Sequence, residues 1–328
     1  MKTLIAGFGS IGRRHLNNLR ALGETDFVLL RSHHSTLPDD DIKGLPVETT
    51  IEAALTHKPQ AVVIANPSAL HLDVAIPAAK AGCTILMEKP VSHSMDRIGE
   101  LQSALNQGGC QLLVGYQFRF HPGLRQVKVW LDEGKIGRPV SSRAHWGEYM
   151  PGWHPWEDYR QSYAARADLG GGVVNTLCHP LDYQRWLFGE VASLWAETSN
   201  FALGLEVEDT AEIGLSFKNG VLSSTHVDYL QRPGQHTLQI NGTLGTITWD
   251  NATGIAKLFE AETGNWQEST LPAGFERNFL FMDEARHFLD VVNSKTAPIC
   301  SLADGIAAIQ LTEAIHRSAN LGKKMLLN

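Results

Sequence analysis

Over roughly the first 115 residues, short unbroken apolar runs alternate with segments of helical period. Residues 3–6, 27–30, 61–65, 84–87 and 111–114 read as strands, and 11–22, 70–81 and 95–107 as helices. Runs such as AVVIA carry no polar alternation, the mark of strands covered on both faces of a parallel sheet. Strand–helix alternation of this kind predicts a doubly wound α/β domain.

The texture changes beyond Phe120. A helix over 123–132 leads to a strand over 140–146, an aromatic-rich loop and a helix over 172–187. Strand-like segments follow, separated by hairpin signals at Lys218-Asn219-Gly220, Asn241-Gly242 and 250–254. In TAEIGLSF, Ala211, Ile213, Leu215 and Phe217 share one face. Helical period returns over 278–292 and 302–321. The pattern predicts an α/β domain with a doubly wound parallel sheet over 1–119, then an α+β domain with a mostly antiparallel sheet over 120–328. The last helix is free to pack back on the first domain.

Composition narrows the class. A chain of 328 residues exceeds one comfortable core, and 43% hydrophobic with 19% charged residues is globular composition. A formal net charge of −7 with no basic stripe argues against a nucleic-acid partner. No apolar run nears the roughly 20 residues that span a bilayer, and MKTLIAGFG has no secretory core, so no membrane partner is expected. Cys83, Cys110, Cys178 and Cys300 form no CxxC pair and read as reduced thiols, which points to a cytoplasmic protein. Among 14 histidines there is no HxxxH or HExxH spacing, and the adjacent pairs His33-His34 and Cys178-His179 make poor ligand sets, so no metal is expected. No GxSxG turn supports serine hydrolysis.

The segment Gly7-Phe8-Gly9-Ser10-Ile11-Gly12 lies between the first strand and the first helix, the context in which GxGxxG holds a dinucleotide. Gly7 permits the tight turn, Gly9 lets the backbone approach a pyrophosphate, and Gly12 allows close helix packing. A glycine turn without ligand and an S-adenosylmethionine site are the alternatives. After the second strand come Arg31, Ser32 and His33 in place of the acid that accepts from an NAD ribose. A cation and a hydroxyl suit a 2′-phosphate, which favours NADP(H) over NAD(H), although a solvated Arg31 would leave the choice open.

GFGSIGRRH, ANPSALH, MEKP, GYQFRFHP and GGGVVNTLCH follow one another in the order of the Gfo/Idh/MocA oxidoreductases, and the chain resembles that family along its whole length, including LADGIAAIQLTEAIHRSA. The resemblance implies a Rossmann domain followed by a domain with an open, mostly antiparallel sheet. It implies that Lys89 and Pro90, after Glu88, sit beside the nicotinamide, with Lys89 assisting proton transfer at the reacting hydroxyl. A lysine suits that task, since it can shuttle a proton while its charge stabilises an alkoxide. Asn66, Pro67 and His71 match a loop lying against the cofactor; His71 can equally cap its helix or sit at the surface. Tyr116, Gln117 and Arg119 match the segment leaving the first domain, near nicotinamide and substrate. A homodimer or homotetramer through the second-domain sheet is implied as well.

GGGVVNTLCH matches the family's helix facing the nicotinamide, but Asn175 and Thr176 stand where many members carry an aspartate. On a continuous helix, Asn175, His179 and Asp182 would share one face. Neither Asn nor Thr acts as a base near neutral pH, so proton transfer falls to Lys89 and His179, with Asn175 and Thr176 orienting a hydroxyl.

The loop over 145–163 concentrates Trp146, Tyr149, Trp153, His154, Trp156, Tyr159, Arg160 and Tyr163. Trp153, His154, Arg160 and Tyr163 are candidate contacts to a sugar ring and its hydroxyls, and the same composition suits a subunit interface. Arg119, Arg160 and Arg166 admit an acidic sugar. The expected activity is NAD(P)-dependent hydride transfer at a hydroxyl-bearing carbon of a sugar, sugar acid, nucleotide sugar or cyclitol. A redox-neutral enzyme that oxidises its substrate transiently and a dinucleotide-dependent sensor are the alternatives.

Overall fold

A computed structural model of the protein describes residues 1–32 and 42–327; His33 and His34 lie outside the described residues. The chain forms two compact units. Unit 1 comprises Met1–Gln117, Asp168–Gly170 and Arg277–Ile309, and unit 2 comprises Phe118–Ala167, Gly171–Glu276 and the chain from Gln310 onward.

In unit 1, β1 (Lys2–Ala6), β2 (Asp26–Leu30), β3 (Val47–Glu48), β4 (Ala61–Ile64), β5 (Thr84–Glu88) and β6 (Leu112–Gly115) form a parallel sheet in the order β3-β2-β1-β4-β5-β6. Ala61, Val62, Val63 and Ile64 are all inaccessible, which explains why this strand shows no polar alternation. α1 (Ser10–Ala21) packs on α8 (Asn278–Val292), and α3 (His71–Lys80) packs on α4 (Ile98–Gly108). α2 (Ile51–Thr56) starts at Thr50, whose hydroxyl accepts from the Ala53 N–H at 3.2 Å. The order reverses between β1 and β4, and in open parallel sheets ligands bind beyond the carboxyl ends at such a point.

In unit 2, α5 (Pro122–Asp132) starts behind His121, whose Nδ1 accepts from the Gly123 N–H at 3.0 Å. Nine strands follow: β7 (Pro139–Gly147), β8 (Val191–Ser199), β9 (Thr210–Phe217), β10 (Leu222–Asp228), β11 (Gln235–Gly242), β12 (Gly245–Asp250), β13 (Ala256–Glu260), β14 (Asn265–Glu268) and β15 (Met325–Leu326). Among the described residues their order is β14-β13-β12-β11-β7-β10-β9-β8-β15, antiparallel at every pairing except β7 with β10. Ala211, Ile213, Leu215 and Phe217 of β9 are buried, as their alternation requires. α9 (Leu302–Leu321) belongs to unit 1 up to Ile309 and to unit 2 from Gln310. No helix of the described residues is long and apolar enough to cross a membrane.

Two local expectations are corrected. The helix expected over 172–187 is broken into α6 (Val173–Thr176) and α7 (His179–Phe188). Pro180 has no N–H for the Thr176 carbonyl and its ring crowds that carbonyl, so helix cannot run through. Asn175, His179 and Asp182 therefore share no continuous helical face. The Asn241-Gly242 hairpin exists, but the chain reverses at Thr243 and Leu244, and Gly242 sits at a register shift within β11. A Cβ on Gly242 would strike the Ile136 carbonyl, so close approach rather than turn geometry demands this glycine.

Burial pushes the His121 imidazole down to about 4. The unfolded chain takes up a proton near pH 6.5 while the native site does not, so stability present at pH 7 is lost as pH falls toward 4. Relative to His121→Asn, which retains a capping oxygen, the wild type should lose ~3 kcal/mol between pH 7 and 4. Denaturant titrations of both proteins measure this, and a gap that stays constant with pH would contradict it.

Candidate active site

Five segments of unit 1 gather at the carboxyl edge of the parallel sheet, because each follows the end of a strand. Residues 7–12 follow β1, Arg31 and Ser32 follow β2, residues 66–71 follow β4, Lys89 follows β5, and Gln117 follows β6. Gly7 has φ +89°, which an L side chain rarely adopts, and a Cβ on Gly12 would strike the Gly7 carbonyl. A Cβ on Gly9 would meet no atom within 4 Å, so the middle of the turn faces open space. α1 has no side-chain N-cap and no acid in its first turn, leaving the N–H groups of its opening turn suited to an anion.

Other residues at this edge fit a dinucleotide. Asn66 donates through Nδ2 to the Leu70 carbonyl at 3.2 Å, while its buried Oδ1 has no partner among the described residues. Gln117 has the same kind of orphaned, buried Oε1. Such acceptors match the hydroxyl and amide donors of a ribose or a carboxamide. His71 is neither a surface residue nor a side-chain cap. Its Nε2 donates to the Asn66 carbonyl at 2.9 Å, and burial lowers its pKa, so a neutral ring ties the two ends of the 66–71 loop together. Pro67, between them, precedes the short turn Ser68–Leu70. Arg31 is 6% exposed rather than solvated, and both it and Arg13 place guanidiniums over the Phe8 ring, at 5.8 and 4.4 Å. Ser32 is exposed.

Lys89 is half-buried at the end of β5. Burial alone would raise the pKa of the preceding Glu88, but the hydrogen bond and charge of His15, with Lys89 and His71 nearby, hold it below the ordinary carboxylate range.

In unit 2, His179 opens α7 and is 1% exposed, with its ring 4.9 Å from Phe118 and 5.5 Å from Trp146. Asn175 donates from Nδ2 to the Gly171 carbonyl at 3.3 Å. The Tyr229 phenol donates to the Ala164 carbonyl at 3.3 Å. Burial keeps that phenol protonated. Trp153 meets Tyr229 edge to face at 5.5 Å. Tyr229 was missed in the sequence, although Thr225, Val227 and Tyr229 continue the inward alternation of β10. Glu208 was missed too: its carboxylate caps α6 through the Val174 N–H at 3.1 Å and bonds His316 at 3.2 Å.

Other candidates already have protein partners. Arg119 forms a buried bidentate pair with Asp182 through Nε and one terminal nitrogen, at 3.0 and 2.7 Å. Arg160 lies over the Tyr159 ring at 4.5 Å and pairs with Asp158 at 3.5 Å in an exposed loop, and His154 pairs with Glu157 at 3.6 Å.

A glycine turn at the switch point of a parallel sheet, an uncapped helix start and orphaned acceptors define a dinucleotide-dependent enzyme with a separate α+β unit. Residues 1–116 match an oxidoreductase family model with an NAD-binding Rossmann fold, and residues 124–248 match the C-terminal domain model of the same family. The chain belongs to the Gfo/Idh/MocA family and is an NAD(P)-dependent oxidoreductase. It is similar to levoglucosan dehydrogenase of Pseudarthrobacter phenanthrenivorans, at 27% identity over 306 residues, covering 79% of this chain and 77% of that protein. It is also similar to myo-inositol 2-dehydrogenase of Thermotoga maritima, at 24% identity over 336 residues, covering 97% and 96%. The solved structure of a levoglucosan dehydrogenase in complex with NADH and levoglucosan shares the fold, with a TM-score of 0.88 at 20% identity over 99% of both chains.

Proposed function

We propose that the protein oxidises or reduces a hydroxyl-bearing carbon of a neutral sugar or cyclitol, with Lys89 handling the hydroxyl proton. The observation carrying this reading is the half-buried Lys89 at the carboxyl edge that also presents the Gly7–Gly12 turn. A bound nicotinamide supplies the hydride acceptor or donor. Gly9 and the start of α1 hold its pyrophosphate, and Asn66 and Gln117 fill their acceptor sites with its hydroxyl or amide groups. Lys89 takes the hydroxyl proton on oxidation and returns one on reduction, and its charge stabilises the alkoxide between. In unit 2, His179 with Asn175 and Thr176 is the proposed set for binding and orienting substrate hydroxyls.

Relatives named for levoglucosan and myo-inositol support a polyol substrate. With Arg119 engaged by the buried Asp182, a neutral substrate is favoured over an acidic one. Trp153, held edge to face on Tyr229, suits the apolar face of a sugar ring, and Tyr163 is assigned the same role. A panel of neutral polyols and their acids, followed by nicotinamide absorbance, tests this; turnover confined to the acids would overturn it.

The cofactor is taken to be NADP(H), because Arg31 and Arg13 lie beside Phe8 at the end of β2 where a 2′-phosphate would be read. Arg31→Gln should lower kcat/KM for NADP(H) about tenfold to a hundredfold and leave NAD(H) nearly unchanged, the effect of losing one charge-assisted bond. Equal losses with both cofactors would remove the assignment.

A further inference from the structure

Unit 1 encloses a charged cluster that the proposed reaction does not use. His15 of α1, Glu88 of β5 and Glu284 of α8 bring one nitrogen and two carboxyl oxygens within 4.8 Å of one another. Glu88 accepts from His15 Nε2 at 2.7 Å. Glu284 is 0% exposed, and neither of its carboxyl oxygens has a hydrogen-bond partner among the described residues. Two carboxylates at this separation, one sealed and one only partly exposed, repel unless one carries a proton. The surroundings favour an ionised Glu88: His15 hydrogen-bonds it at 2.7 Å and the charge of Lys89 lies nearby. Arg14 on α1 lies within reach of the Glu88 charge, and Arg277 ahead of α8 lies near Arg14. His15 lies near Glu284 as well, but its Nε2 is engaged by Glu88 at 2.7 Å.

We infer that Glu284 holds a proton and donates it in a hydrogen bond to Glu88, directly or through one water, and that this pair fixes the Glu88-Lys89 segment. Glu284 is thus a positioning residue for Lys89. Burial, and after it the charge of Glu88, push the Glu284 carboxyl well above the ordinary range, which agrees with the proton's place. A metal ion in the cluster is the competing occupant, and it would require both carboxyls to be ionised.

The inference rests on the assignment of Lys89, so its test has one arm independent of turnover. Infrared spectroscopy of the intact protein at neutral pH should show the carbonyl stretch of a protonated carboxylic acid, and Glu284→Gln should remove it. In turnover, Glu284→Met, which has no donor, should lower kcat about tenfold or more with KM nearly unchanged. Glu284→Gln keeps an N–H donor without charge and should recover most of that loss. Absence of the band, or one equivalent of divalent metal on the purified protein, would overturn the proton pair. A band present with equal kcat in wild type and Glu284→Met would overturn the positioning role. A band present with no turnover on any polyol would fault the reaction and leave the protonated pair standing.

Discussion

Replacing Lys89 with Met should lower kcat/KM by ~10³-fold while NAD(P) still binds, the loss expected when a positioned proton-transfer group is removed. Methionine keeps much of the apolar stem, so the half-buried segment after β5 retains its packing and only the ammonium is lost. The substitution removes both the proton's destination and the charge that stabilises the alkoxide. Both act on the transition state, so the loss should appear in kcat rather than in cofactor affinity. Single-turnover kinetics with a fluorescence titration of cofactor on the same samples separate the two. Unchanged single-turnover rates, or loss of cofactor binding with intact chemistry in the residual complex, would remove Lys89 from the reaction.

Asp182→Ala should destabilise the protein by about 3–5 kcal/mol, because it strands the buried Arg119 guanidinium in an interior that solvates it poorly. For a domain of this size that is roughly 10 °C of melting temperature. Under the proposed function the pair is structural rather than part of substrate recognition. Arg119→Met combined with Asp182→Ala should therefore regain most of the loss, as apolar replacement of a buried ion pair often does. The double variant should also keep the same preference between neutral and acidic polyols as the wild type. A double variant that is stable but selectively loses acidic substrates would return Arg119 to the substrate site.

The parts of the fold written in local pattern were legible in the sequence. Fully apolar runs gave the strands of the parallel sheet, alternation gave β9, and the glycine turn between β1 and α1 stands in the predicted context. Elements too short to show a period were not visible: β3 has two residues and α2 six. The break between α6 and α7 was legible in Pro180 but was hidden by the apolar period on either side. Long-range partnerships left no local mark. Arg119 looked like a free cation because its partner, Asp182, is 63 residues away. Glu284 left a usable trace, since it interrupts the buried stripe of Leu280, Phe281, Ala285, Phe288 and Val291 on α8. What the sequence could not reveal is that this helix returns to unit 1 and brings the acid beside Glu88.

The most direct test of the central claim is to mix the protein with NADP⁺ or NAD⁺ and a panel of neutral sugars and cyclitols. Nicotinamide absorbance and product are followed together, with Lys89→Met at matched cofactor occupancy alongside. The account predicts that one polyol yields one reduced nicotinamide per oxidised molecule and that Lys89→Met loses this activity. Product formed without net reduced nicotinamide, or an equal rate in Lys89→Met, would contradict it.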